Sequence, residues 1–140
     1  MAGRTVIWKL GGAPADAPFL HVEIADTFWR RFLGLMGRKE LAPSHALLIL
    51  PCFSVHTCFM RFAIDAVFVK RQEDGECWRV EKAAQGLRPW LGVSVCGTAD
   101  AVIELRRGEA ERIGMTPGSV WEEVRGAVCE GKENFWRRVR

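Results

Sequence analysis

Hydrophobic and polar positions alternate over much of this chain, and a period of two marks strands that bury one face. "FLHVEIA" sets Leu20, Val22 and Ile24 against His21 and Glu23. That pattern predicts a half-buried strand with His21 on its polar side. "RTVIWKL", Arg4 to Leu10, has the β-branched and aromatic content of another strand, and the "GGAPADAP" that follows it is a turn-rich linker. "HALLILP", "VHTCFM", "DAVFVKRQ", "CWRVEKA", "ADAVIELRRG" and the end of "MTPGSVWEEV" supply further strand candidates. Asp74-Gly75 in "QEDGEC" suits a tight hairpin that returns "CWRVEKA" antiparallel to "AVFVKR", and a Pro-Gly turn leads into the last strand.

One segment has a different period. In "ADTFWRRFLGLMGRKEL", Phe28, Phe32 and Leu35, with Trp29, Leu33 and Met36, follow helical spacing. Asp26 or Thr27 can cap that helix and Gly37 can end it. "GEAERIG" predicts a second, short helical turn. The sum is seven or eight short strands with one or two short helices and no alternation of strand and helix. That pattern predicts a mainly β fold, a compact jelly-roll-like sandwich or barrel. Residues 1–130 are expected to form a single β-rich domain, and residues 131–140, "GKENFWRRVR", to trail as a flexible basic tail.

Composition narrows the class without naming a function. Among 140 residues, 49% are hydrophobic and 26% charged, the balance of a globular domain able to bury one core. A net charge of +3 permits an acidic partner but does not argue for nucleic acid, and the basic-aromatic tail offers at most a weak polyanion contact. No run is long enough to span a bilayer as a helix, and the first residues lack the apolar stretch of a secretory leader. Five cysteines, Cys52, Cys58, Cys77, Cys96 and Cys129, are odd in number and irregularly spaced. They read as reduced thiols, so a cytoplasmic location is expected.

Two stretches in order, "RRFLGLMGRKEL" and "SVHTCFMRFAIDAVFV", followed by "VIELRRGEAERIGMTPGSV", carry a family likeness. The chain resembles the domain of unknown function 192 family, also called uncharacterised protein family 127, over residues from about 20 to 124. The matching positions are Arg31, Gly34, Leu35 and Met36, then His56, Thr57, Phe59, Met60, Arg61, Ile64, Asp65 and Phe68. Glu104, Leu105, Gly108, Gly114 and Gly118 complete the match, while Ala63 and Ser119 depart from the family's common Pro and Asp. The resemblance implies a mainly β, jelly-roll-like or barrel-like domain of bacterial type. It implies no agreed activity, cofactor or catalytic set.

Ionisable groups in the apolar "SVHTCFMRFAIDAVFV" mark the candidate site. If Cys52 to Met60 is extended, Phe53, Val55, Thr57 and Phe59 face the core, and Cys52, Ser54, His56, Cys58 and Met60 share the other side. A pocket bordered by Arg31, His56, Thr57, Met60, Arg61 and Asp65 would hold a small polar ligand or a peptide, with no cofactor. A hydrolase-like alternative uses His56 as general acid or base, Asp65 to orient it and Arg31 or Arg61 to hold an anion. A soft-metal alternative, for zinc or copper, uses Cys52, His56 and Cys58, but requires the chain to bend after Pro51. The spacing is no zinc signature and no elbow glycines flank Thr57 or Cys58, so a binding module is the preferred reading. Asp65 is expected at a turn between strands, accepting backbone N–H groups, with an ion pair to Arg31 or Arg61 as its rival.

Overall fold

A computed structural model describes residues 4–14, 16, 17, 19–27 and 40–124. The helix predicted from Phe28, which includes Arg31, and the C-terminal tail lie outside the described residues. Nine strands and one helix are found among those described: β1 (Arg4–Leu10), β2 (Leu20–Ala25), β3 (His45–Ile49), β4 (Ser54–His56) and β5 (Ile64–Arg71) come first. They are followed by β6 (Cys77–Leu87), β7 (Val93–Val95), β8 (Ala101–Arg106), α1 (Glu109–Ile113) and β9 (Val120–Glu123).

Seven strands close a barrel in the order β1-β2-β3-β8-β5-β6-β9, and β4 and β7 form a separate two-stranded ribbon. Of the sandwich and the barrel, the chain adopts the barrel, and its neighbouring strands are antiparallel except for β2 and β3. The β5–β6 hairpin forms as its Asp-Gly turn predicts. Asp74 Oδ1 accepts the Glu76 and Cys77 N–H groups, at 2.8 and 2.9 Å, and Gly75 takes a φ of 77° that a side chain would resist.

Every second residue points into the barrel. Val6 and Trp8, Leu20, Val22 and Ile24, Ala46 and Leu48, Ile103 and Leu105, and Trp121 fill it, with Trp8 stacked on Trp78 at 5.4 Å. The outward residues of β3, β5 and β8 are buried as well. Leu47, Ile49 and Ile64 pack with Met60, and Ala66, Phe68 and Val102 pack with Val55. Strands covered on both faces read as continuous apolar runs, which is what "AVFV" and "AVI" are. The cover over this side of the barrel is the ribbon and the chain leading into and out of it.

Asp65 sits at an inward position of β5, in phase with Val67 and Val69, and is completely buried. Its Oδ1 accepts the Gly86 N–H from the end of β6 at 2.8 Å, and its Oδ2 accepts the Ala110 N–H of α1 at 3.1 Å. The expected backbone N–H partners are present, but the expected turn is not. Pairing of β5 with β8 runs through Asp65 to Ile64, so the carboxylate lies within a strand and ties α1 across the barrel's end. Among the described residues it makes no ion pair, and Arg61 is exposed.

A second buried carboxylate holds the other side of α1. Glu109 takes a bidentate pair from Arg112, with Nε and a terminal nitrogen each at 2.6 Å, and accepts the backbone N–H of Ser44 ahead of β3. The Arg112 hydrogen bonds, chiefly, hold the Glu109 carboxyl below the usual carboxylate range, against the opposing effect of burial.

Two stability measurements check this lid. Asp65→Asn keeps one accepting oxygen where Asp65→Ala keeps none, so alanine is expected to cost about 1 kcal/mol more than asparagine in denaturant melts. Equal losses would contradict the two-bond account. Because the Glu109 pKa is lowered by folding, its contribution is present above the unfolded-state value and is lost as pH falls through the folded one. Glu109→Gln is therefore expected to destabilise the protein at pH 7, with the gap to the parent closing in acid. A gap that is independent of pH would contradict it.

Candidate functional site

The short ribbon organises the region that the sequence marks. Its pairs are Ser54 with Val95, Val55 with Ser94, and His56 with Val93. Val55 and Ser94 face the barrel and are buried, and Val55 packs in the cluster with Ala66, Phe68 and Val102. Ser54, His56, Val93 and Val95 face away from the barrel and are exposed. The ladder continues one step at each end, with Thr57 N–H to Gly92 O at 3.0 Å and Cys96 N–H to Phe53 O at 2.8 Å.

The alternation predicted from Cys52 to Met60 holds only from Ser54 to Thr57: Phe53, expected in the core, is 57% exposed, Cys52 packs against the core, and after Thr57 the chain leaves the strand. Thr57 is fully buried and joins two loops. Its hydroxyl donates to Arg88 O at 2.5 Å and accepts the Gly92 N–H at 2.7 Å, while its carbonyl accepts from Trp90 N at 2.8 Å and Met60 N at 3.1 Å. A β-carbon on Gly92 would lie 2.9 Å from Leu87 Cβ and 3.0 Å from Thr57 Oγ1, so only glycine lets the loops approach this closely. The turn puts Met60 into the core beside Ile64, where the sequence expectation had it on the open face. It turns Phe59, expected in the core, out into solvent. Phe59 and Trp90 both adopt left-handed backbone conformations, at φ 66° and 70°, and their rings meet edge to face at 4.8 Å.

The six candidate pocket residues therefore separate. Thr57, Met60 and Asp65 are buried supports, His56 and Arg61 are exposed, and Arg31 is outside the described residues. Asp65 spends both oxygens on backbone N–H groups, so the acid–base pair of His56 with Asp65 is not assembled. Cys52, His56 and Cys58 are not gathered either. Cys52 donates to Ser54 O at 3.0 Å, and among the described residues no group of three or more His, Cys, Asp or Glu side chains is placed to hold a metal. Cys77 is no activated thiol: burial, then its hydrogen bond to Asp74, pushes its pKa up to about 11.

Sequence reasoning missed two features. One is β7, hidden in "WLGVSVCGT" by flanking glycines. The other is a cavity of about 270 Å³ at Thr5, His21, Glu23, Glu40, Leu41 and His45. Its two imidazoles stack at 4.8 Å because the parallel β2–β3 register pairs His21 with His45. Nothing in either strand alone announces that register.

Among the described residues the large exposed apolar side chains have a common address. Phe53, Phe59, Trp90, Leu91, Val93 and Val95 are each more than half exposed, and all belong to the ribbon or its ends. Together they leave on the order of several hundred Å² of apolar surface in water. Summed, that is comparable with the largest apolar patch of an ordinary monomer, and exposed apolar patches of that size mark contact sites. The ribbon's edges are treated differently from its face. The Ser54 carbonyl is taken by the Cys52 thiol and the Val95 carbonyl by the Lys82 ammonium at 3.0 Å. Occupied carbonyls discourage an added strand.

These features define a small closed-barrel domain with an apolar ribbon on its outside. Residues 12–122 match the model of the DUF192 family, described as "Uncharacterized ACR, COG1430", and the chain belongs to that family. UPF0127 protein PF1050 of Pyrococcus furiosus is 34% identical over 105 residues, covering 71% of this chain and 83% of its own. A crystal structure of a protein of unknown function from Novosphingobium aromaticivorans is 25% identical, with a TM-score of 0.69 and 84% of each chain covered. A proposed transcription regulator from Sinorhizobium meliloti shares the fold, with a TM-score of 0.70 at 21% identity over 86% of this chain and 92% of its own.

Gly92→Ala tests how the two loop tips are held. The added carbon must displace Leu87 or Thr57, at an expected cost of about 1–3 kcal/mol. Denaturant melts measure the loss. Parent-like stability would show that the loops yield freely and that the aromatic tips are not fixed by Thr57.

Proposed function

We propose that the protein is a binding module and that the outer face of the β4–β7 ribbon, with its two aromatic tips, is its contact surface. The observation that carries this reading is the gathering of exposed apolar side chains on one ribbon, among the described residues. A face so costly to leave in water is expected to have an occupant. In this reading His56 and Arg61 supply polar contacts on or beside the face, and Thr57 and Met60 position it from below. Preorganisation supports the same reading. Left-handed backbone at two bulky aromatic residues costs energy, and strain of that kind persists where a function holds it. Among the described residues Cys58, Cys77 and Cys96 are free thiols, which fits a reducing, cytoplasmic setting, and that setting belongs to the proposal.

Leu91, 77% exposed at the tip of the ribbon, is the position at which to test it. A photo-activatable cross-linking side chain placed there in cells is expected to capture a partner, whether protein or lipid. The same group at Glu73, exposed in the β5–β6 hairpin, is expected to capture none. Equal capture at both positions, or none at Leu91, would contradict the proposal.

A further inference from the structure

We infer that the occupant of the ribbon face is an anionic lipid bilayer, with Phe59, Trp90 and Leu91 entering the interfacial layer. This rests on the ribbon being the contact surface and adds what covers it. Charge carries the step. Residues 51–62 and 86–97, which contain the ribbon and both tips, include Arg61 and Arg88 and no aspartate or glutamate. Both arginines are exposed, and each stands two residues from a tip aromatic, Arg61 after Phe59 and Arg88 before Trp90. Lys82 is also exposed, but its ammonium is held by Val95 O and lies 5.8 Å from the Phe68 ring on the barrel side, so the cations of the face are the two arginines.

Three occupants can be compared on this pattern. A second copy of the chain, docked face to face, would bring these cations against their own kind with no acidic residue of the face to receive them. An added peptide strand would need the ribbon's edges, and a carbonyl on each is already bonded to a side chain of this protein. A bilayer needs neither a self-complementary face nor an open edge. It takes aromatic and aliphatic tips into the headgroup boundary and pairs flanking arginines with anionic headgroups. The tips are also held for the purpose. Thr57 fixes both loops through hydrogen bonds with Arg88, Trp90, Gly92 and Met60, so little order remains to be lost on docking.

The test is cosedimentation of the full chain with phosphatidylcholine vesicles, with and without about one third phosphatidylserine. Binding is expected with phosphatidylserine, to weaken as salt is raised, and to be slight with phosphatidylcholine alone. Leu91→Ser and Trp90→Ser are each expected to lower the partition coefficient by about tenfold. The double variant Arg61→Glu, Arg88→Glu is expected to abolish the preference for phosphatidylserine. Leu91, the most exposed of the six, serves as the folding control, since its replacement is expected to leave the melting temperature unchanged. Failure to bind, or binding that the ribbon variants leave intact, would overturn the lipid assignment. Capture of a protein at Leu91 together with no vesicle binding would overturn the lipid assignment alone and leave the ribbon as the contact surface.

Discussion

The structure depends on the covering of one sheet from both sides. β5 and β8 present apolar residues to the barrel interior through Val67, Val69, Ile103 and Leu105, and to the outside through Ala66, Phe68 and Val102. An uncovered outer face would leave those side chains in water, at a cost of roughly 1.5–3 kcal/mol each for Phe68 and Val102 and less for Ala66. The segment from Cys52 to Met60 and the ribbon of β4 and β7 meet that need, with Val55 and Met60 as the inward contacts. A two-stranded ribbon used as a cover has a second face, and here Val93 and Val95 on that face, with the aromatic side chains at its ends, stay in water. The candidate site is thus a consequence of how the barrel is closed off.

Two buried polar residues convert this packing into a defined shape. Thr57 lies under the ribbon's tips and spends its hydroxyl, N–H and carbonyl on the neighbouring loop. Asp65 lies at the barrel's end and joins β5 to β6 and α1. Each is completely enclosed, so each must be satisfied, and each is satisfied by backbone groups from distant parts of the chain. Such bonds specify geometry as well as stability. They hold the aromatic tips on one side and the short helix on the other.

Much of the fold was legible in the sequence, because its signals are local. The strand-like content of "RTVIWKL", the alternation in "FLHVEIA", the Asp-Gly turn after "DAVFVKRQ" and the short helical "EAERI" all appear where the pattern put them. The candidate site was legible only in part. The residues from Ser54 to Asp65 do lie in the structurally distinctive region, but the alternation drawn from Cys52 to Met60 holds only from Ser54 to Thr57. Thr57 hydrogen-bonds to a loop more than thirty residues away, and Phe59 then takes a left-handed conformation that reverses inside and outside. No spacing rule foretells that. Equally, β7 became a strand because β4 was there to pair with it, and Asp65 met Ala110 only because the barrel closed. Family membership identified the positions and left their roles to be read from the structure.

The proposed contact surface of this protein is the outer face of the ribbon. Amide chemical shifts followed by NMR during titration with anionic lipid nanodiscs test it most directly, residue by residue. The account predicts that changes concentrate at Phe53–Arg61 and Arg88–Val95, strongest at Phe59, Trp90 and Leu91, with β1, β2 and the β5–β6 hairpin unmoved. Changes centred on the cavity beside His21 and His45, or spread evenly over the barrel, would contradict it.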